Sequence, residues 1–354
     1  MRAAVIEGPG RFAVRSVPEP SLDPGDVLLE VLATGICGTD VRIFKGEHRA
    51  AKPGLVAGHE VVGRIVSCDG NLPEDLAVGD VVVMAPNIGC GNCRWCGRGQ
   101  ENLCPRSEAL GITLDGGFAE FVRVPAPAVR WGNLIRIGAG RTAGDYLGYV
   151  MAEPLACVVR GQRKVGVAPG ESVLVCGAGP VGLAHVALAN ACGARVLCSE
   201  PSPERRQAAL VAGAAEVAGP DEDLAAFVRR VVGQDGVDVV ITAAPAPELQ
   251  ARALEVAATW GRILAFAGLP KSISVVELPT NQLHYKELSL VGSTASTVED
   301  CRQAVRLISS GKVDTAGMVT RTFPLADFGQ AIEAAQDRSG LKVAVLAADQ
   351  EGTS

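Results

Sequence analysis

The chain has 354 residues, with 33 Lys and Arg against 39 Asp and Glu, a net charge of −6 and 48% hydrophobic residues. That length is too great for one small core and implies two domains, while the acidic balance and an aromatic content of 4% exclude the basic, base-stacking surface of a nucleic-acid binder. Apolar runs break well short of a membrane span and the N-terminus lacks a secretory layout, so 11 cysteines point to metal binding in a reducing cytoplasm rather than to a disulfide scaffold.

Up to about residue 155 the chain carries short β-branched runs at 26–35 (DVLLEVLATG), 59–68 (HEVVGRIVSC) and 79–86 (GDVVVMAP). Gly, Pro and Asp punctuate them, which predicts antiparallel strands joined by turns. The rhythm then changes. Residues 171–193 read as a strand, a glycine turn and a long Ala/Leu helix, 194–200 as a second strand and 203–214 as a second helix. Further strands are predicted at 237–245 and 261–269, with KELSLVGS (286–293) as a last, edge strand. Strands alternating with helices predict a parallel, doubly wound sheet. After about residue 295, VEDCRQAVRLISSGKV and DFGQAIEAAQD predict amphipathic helices and LKVAVLAA a closing strand, with a loose tail DQEGTS.

Four cysteines, Cys90, Cys93, Cys96 and Cys104, fall in GCGNCRWCGRGQENLC. Thiolates spaced this closely on Gly turns supply the soft tetrahedral donors of a structural zinc. The gap of seven residues before Cys104 does not match a ferredoxin-type run, which argues against an iron–sulfur cluster. With four thiolates such a zinc keeps no open position, so it is not a catalytic metal. GAGPVG (177–182), contributing Gly177, Gly179, Pro180, Val181 and Gly182, ends an apolar strand and opens a helix. In that context a glycine turn cradles a dinucleotide pyrophosphate. Glu200 ends the next strand, where an acid binds the adenosine ribose and repels a 2′-phosphate, favouring NAD over NADP. Arg205 tempers that preference, since an arginine there can serve a phosphate. The competing reading makes Glu200 a solvated acid at a helix start.

CGTD (37–40), GHE (58–60) and MAEP (151–154) say little singly. Together with the cysteine lobe, LDGGFAEF (114–121) and the glycine turn they resemble, over essentially the whole chain, the zinc-containing medium-chain dehydrogenases, and within them the polyol (sorbitol-like) branch. The resemblance implies an α/β fold: a GroES-like, mainly β catalytic domain (1–155 and 296–354, with the zinc lobe at about 88–106) and a Rossmann NAD-binding domain (156–295). It implies a second, catalytic zinc held by Cys37, His59 and a carboxylate, with an open position for substrate. Either Glu60 or Glu153 could be that carboxylate: neighbours on a strand point to opposite faces, so His59 and Glu60 share an ion only if the backbone turns, and Glu153 stands where simple alcohol dehydrogenases carry cysteine. Thr39 resembles the hydroxyl that takes the substrate proton, and Asp40 the carboxylate that steers the ligand histidine. Arg42 departs from the pattern, because many relatives have a proton-accepting histidine there and arginine cannot accept a proton. His48 is a candidate for the active cleft that the resemblance implies between the two domains, whereas His185 and His284 read as packing residues.

The expected activity is NAD-linked oxidation of a secondary alcohol on a polyol, sugar or cyclitol, or the reverse reduction. Aminocyclitol-type and threonine-type dehydrogenation are the alternatives within enzymes. A binding protein that kept the fold and lost the chemistry is the alternative outside them. The expected partners are a small-molecule alcohol or ketone and further copies of the chain, as a homodimer or homotetramer, with neither nucleic acid nor membrane.

Overall fold

The computed structural model describes residues 1–137, 146–269, 272–273, 275–337 and 340–347; the tail DQEGTS lies outside them. The described chain divides into two units, Met1–Ala156 with Ala295–Ser310 and Thr315–Ser354, and Cys157–Thr294 with Gly311–Asp314. Among the described residues no helix is long and apolar enough to cross a membrane.

The first unit opens with the antiparallel pair β1 (Arg2–Gly8) and β2 (Arg11–Ser16). Next come β3 (Val27–Gly35), helix α1 (Gly38–Phe44), β4 (Glu60–Cys68) and β5 (Val81–Met84). The short strands β6 (Asn87–Ile88) and β7 (Glu108–Ala109) pair with each other around the cysteine lobe, and β8 (Phe121–Val124), α2 (Ala126–Trp131) and β9 (Leu134–Arg136) follow. Helix α3 (Ala152–Val165) leads into the second unit. There, strands β10 (Ser172–Cys176), β11 (Arg195–Ser199), β12 (Glu216–Ala218), β13 (Val237–Thr242), β14 (Ala257–Ala265) and β15 (Ser289–Gly292) alternate with helices α4 (Pro180–Ala191), α5 (Pro203–Val211), α6 (Leu224–Val232), α7 (Pro247–Val256) and α8 (Thr280–Tyr285). The chain returns to the first unit with α9 (Val298–Ser309), β16 (Val319–Pro324), α10 (Phe328–Gln336) and β17 (Lys342–Leu346).

The sheet of the second unit is parallel throughout, in the order β12-β11-β10-β13-β14-β15. This is the doubly wound dinucleotide-binding arrangement, whose order reverses between β10 and β13. Its central strands are apolar on both faces because helices cover both: Val173, Leu174 and Val175 on β10 and Val239, Val240 and Ile241 on β13 are fully buried. β15 is its edge strand, as 286–293 predicted.

The sheet of the first unit runs β16-β17-β3-β4-β5-β9, with β8 also on β3. Its pairs are antiparallel except β16 with β17. One apolar cluster gathers Phe118, Phe328, Ile332 and Val345, and a second gathers Leu29, Ile65, Val82 and Met84. The closing strand β17 lies against β3, with Ala344 opposite Gly35, and β3 lies against β4, with Gly35 opposite Glu60. That register brings the last strand of the chain to the residues that follow Gly35 and precede β4.

Candidate active site

Cys37 precedes α1 and His59 precedes β4, so both sit where the sheet gives way to turns. Gly58, with φ +100, turns the backbone just before His59, and Glu60 is the first residue of the strand. His59 therefore lies outside the β ladder, and the opposed-faces rule does not separate it from Glu60. Ligand atoms of Cys37, His59 and Glu60 all lie within 4.8 Å of one another. Glu153, in the first turn of α3, is not in that group, although its charge helps raise the Glu60 pKa.

Asp40 organises the group. Its Oδ2 accepts from the Cys37 backbone N–H at 2.8 Å, and its Oδ1 stands 3.2 Å from His59 Nδ1. The contact through Nδ1 leaves Nε2 as the ring nitrogen able to ligate. Burial works against a charged imidazole at His59, yet Asp40 and Cys37 hold its pKa well above the ordinary histidine value.

Lys342, the first residue of β17, was not singled out from the sequence. Its ammonium contacts Glu60 Oε2, and the two side chains are 5% and 1% exposed. Burial opposes its charge, but Glu60, Cys37 and Asp40 keep its pKa above the ordinary lysine value. The one signal for it was a lone cation in an otherwise apolar strand, LKVAVLAA. Gly35 makes the pair possible, because a Cβ there would overlap Glu60 Oε2 and crowd Lys342 Cε. Glu60 Oε1 is buried with no hydrogen-bond donor in reach. A buried carboxylate oxygen without a donor, beside a thiol and an imidazole, suits a divalent cation. The donor set thus fits a zinc with protein ligands on one side.

Thr39 Oγ1 accepts from Arg42 NH2 at 3.1 Å. The remaining histidines do not join this group: the Ala50 N–H donates to His48 Nδ1 at 3.2 Å, and His185 is fully buried, edge-on to Phe266 at 4.5 Å. The packing role expected for His284 is corrected: it is exposed and lies against exposed Tyr285, because α8 is a short surface helix with no buried residue.

The sulfurs of Cys90, Cys93, Cys96 and Cys104 also lie within 4.8 Å of one another, with Cys93 and Cys96 3.6 Å apart. A zinc tetrahedron with bonds of about 2.3 Å needs sulfurs about 3.8 Å apart, so the lobe fits that ion. The Asn92 backbone N–H first, then neighbouring thiols and Arg106, lower the Cys90 pKa to about 6 despite the opposing effect of desolvation. Burial pushes Cys96 up to about 12. The thiols cannot all ionise without a cation among them.

In the second unit, Gly177 has φ +104 and its N–H donates to the Ser199 carbonyl at 2.8 Å. A Cβ at Gly182 would overlap the Gly177 carbonyl oxygen, whereas one at Gly179 would meet only the Arg205 guanidinium, at 4.0 Å. The turn is therefore tight on its inner side and open on its outer side, where Val181 and Gly182 begin α4 behind Pro180 and a diphosphate would meet the helix N-terminus and Arg205. Glu200 is 8% exposed, not a solvated acid. Its Oε2 accepts from the Ala178 N–H at 2.7 Å and its Oε1 from the Ser202 N–H at 3.0 Å. Each oxygen keeps a second lone pair for a ribose hydroxyl.

Residues 23–131 match the alcohol dehydrogenase GroES-like domain and 180–310 the zinc-binding dehydrogenase domain. The chain belongs to the zinc-containing medium-chain dehydrogenases. This dehydrogenase is 36% identical over 313 residues to an L-threonine 3-dehydrogenase of Pyrococcus abyssi, covering 87% of this chain and 86% of that one. It is 33% identical to D-arabinitol dehydrogenase 1 of Uromyces fabae, covering 98% and 97% of the two chains. A zinc-binding dehydrogenase from Sinorhizobium meliloti, solved with NADP bound, superposes with a TM-score of 0.89 at 32% identity, covering 98% of this chain and 99% of that one. The chain is thus a zinc- and nicotinamide-dependent oxidoreductase of the family that acts on CH–OH groups.

Proposed function

We propose that this dehydrogenase oxidises a secondary alcohol on a polyhydroxylated substrate to the ketone, with NAD as the partner, and catalyses the reverse reduction. The observation that carries the reading is the buried, donor-less Glu60 Oε1 beside Cys37 and His59. In this reading Cys37 and His59 hold the catalytic zinc with Glu60 or Glu153, and Cys90, Cys93, Cys96 and Cys104 hold the structural zinc. When bound, the catalytic zinc supplies a Lewis acid and NAD a hydride acceptor. Asp40 orients His59 and caps α1, and the Thr39 hydroxyl takes the proton of the substrate alcohol. Arg42 cannot relay that proton, which passes on through water or another residue. Gly177, Gly179, Pro180, Val181 and Gly182 would cradle the pyrophosphate, Arg205 beside Gly179 would offer it a cation, and Glu200 would take the ribose hydroxyls.

Polyol oxidation is supported by the arabinitol dehydrogenase likeness along nearly the whole chain. Threonine-type oxidation is the second reading, supported by the 36% identity to the Pyrococcus abyssi enzyme. The test is NAD reduction across polyols, cyclitols, aldoses, β-hydroxy amino acids and simple alcohols, with zinc counted per chain. About two zinc ions and turnover of a secondary alcohol are expected. About one zinc and no turnover would make the chain a non-catalytic binder. Glu153→Ala and Glu60→Ala decide the third ligand: the variant that loses the second zinc while still binding NADH identifies it.

The edge strand β15 presents exposed Leu290, and Trp260 and Tyr285 are also exposed. Such an edge favours pairing with a second copy, and the assembly is a homodimer or homotetramer in the cytoplasm; a monomer by light scattering at micromolar concentration refutes the assembly.

A further inference from the structure

Helix α1 carries three polar groups, Thr39, Asp40 and Arg42, within one turn. Asp40 faces inward and is 2% exposed, where it holds Cys37 and His59. Thr39 is half-buried and Arg42 exposed, and the i,i+3 spacing sets these two side by side. The Thr39–Arg42 contact is the polar partner found for the Arg42 side chain, and it engages one of five N–H donors. Among the described residues no carboxylate lies within 4.0 Å of the Arg42 guanidinium. A proton-accepting group is absent from this position, and a planar cation without an ion-pair partner among the described residues stands in its place, touching the hydroxyl assigned above to the substrate proton.

We propose that Arg42 is a specificity-determining residue that binds the carboxylate of the substrate, so that the secondary alcohol oxidised at this site belongs to a hydroxy acid. The inference rests on the functional reading above and narrows its substrate class. A guanidinium recognises a carboxylate through paired donors, which a neutral hydroxymethyl group cannot match. Hydrogen bonds of about 3 Å from carbinol oxygen to Thr39, from Thr39 to Arg42 and from Arg42 to carboxylate, folded around one substrate, leave about 5–7 Å between the carbinol and carboxylate oxygens. That separation suits a carboxylate two to four carbons from the carbinol carbon. β-Hydroxy amino acids and sugar acids both satisfy it. The donor touching Thr39 also leaves that hydroxyl's own hydrogen free to turn, so binding the acid and receiving the proton do not compete.

The experiment compares wild type, Arg42→Gln and Arg42→Lys on matched pairs: hexonates against the corresponding hexitols, and L-threonine against threoninol. Wild type is expected to favour the acid of at least one pair by about 10- to 100-fold in kcat/KM, the range of a charge-assisted hydrogen bond. Arg42→Gln should bring that ratio toward unity, with Arg42→Lys in between, and the wild-type preference should weaken with added salt. Calorimetric binding of the preferred acid without cofactor should weaken in Arg42→Gln by a similar factor. The proposal is overturned if Arg42→Gln leaves the acid-to-neutral ratio unchanged, or if it raises only the KM for NAD. A wild type that oxidises hexitols and rejects every acid overturns it while leaving the secondary-alcohol reading intact. A wild type that oxidises no secondary alcohol refutes that reading itself.

Discussion

Replacing Lys342 with Met keeps most of the length of the side chain, one atom short, and deletes its charge. Glu60 and Lys342 are 1% and 5% exposed at the side chain and in direct contact. At about 3 Å and an effective dielectric of about 20, their attraction is about 5 kcal/mol. Most of that offsets the cost of taking two ions out of water, so the pair's net worth is small, but removing one partner strands the other and costs about 3–5 kcal/mol. Lys342→Met and Glu60→Gln are each expected to lose that amount. The double variant strands no charge and should fall within about 2 kcal/mol of wild type, a coupling of at least about 4 kcal/mol. The assay is urea unfolding followed by tryptophan fluorescence, because Trp95 and Trp131 report the first unit and Trp260 the second. Zinc is counted on every variant, so that metal loss is not read as lost pairing. Additive losses in the double variant would show that Glu60 and Lys342 do not depend on each other, and the account of the site's charge balance would fail.

Cys93→Ser should remove about one zinc per chain and lower the melting temperature before it changes turnover; unchanged zinc content rules out the structural site. Glu200→Ala strips the acceptor from the Ala178 and Ser202 N–H groups and should raise the Kd for NADH about 10- to 100-fold by fluorescence titration while narrowing the preference over NADPH. Higher wild-type efficiency with NADP than with NAD would refute the role given to this acid. Burial lowers the His185 pKa from 6.5 to about 3. The unfolded chain therefore takes up that proton first, and the contribution is full above pH 6.5 and lost as pH falls toward 3. Between pH 6.5 and 5 wild type should lose about 2 kcal/mol that His185→Gln does not, and parallel stability profiles would show that the imidazole is not buried neutral.

What could be read along the chain was whatever is local. The cysteine lobe declares itself because four thiols on Gly turns lie within one short segment, close enough to meet whatever the rest of the fold does. The pyrophosphate turn is equally local: Gly177, Gly179 and Gly182 do their work between one strand and the helix that follows it, and the alternation of strands and helices around them dictates the parallel sheet. Asp40 and Thr39 belong to this class as well, since both sit within a turn of Cys37. The Cys37, His59 and Glu60 group is different. His59 and Glu60 look like neighbours on one strand with opposed side chains, and only the turn at Gly58, with the strand starting at Glu60, lets both face Cys37. Lys342 is remote from these residues in sequence, and the pairing of β17 with β3 and of β3 with β4 carries it to Glu60 across the space that Gly35 leaves empty. Strand register and a missing Cβ are properties of the assembled sheet, so the grouping of Glu60 with Cys37 and His59 and the buried cation beside Glu60 were set by tertiary structure alone.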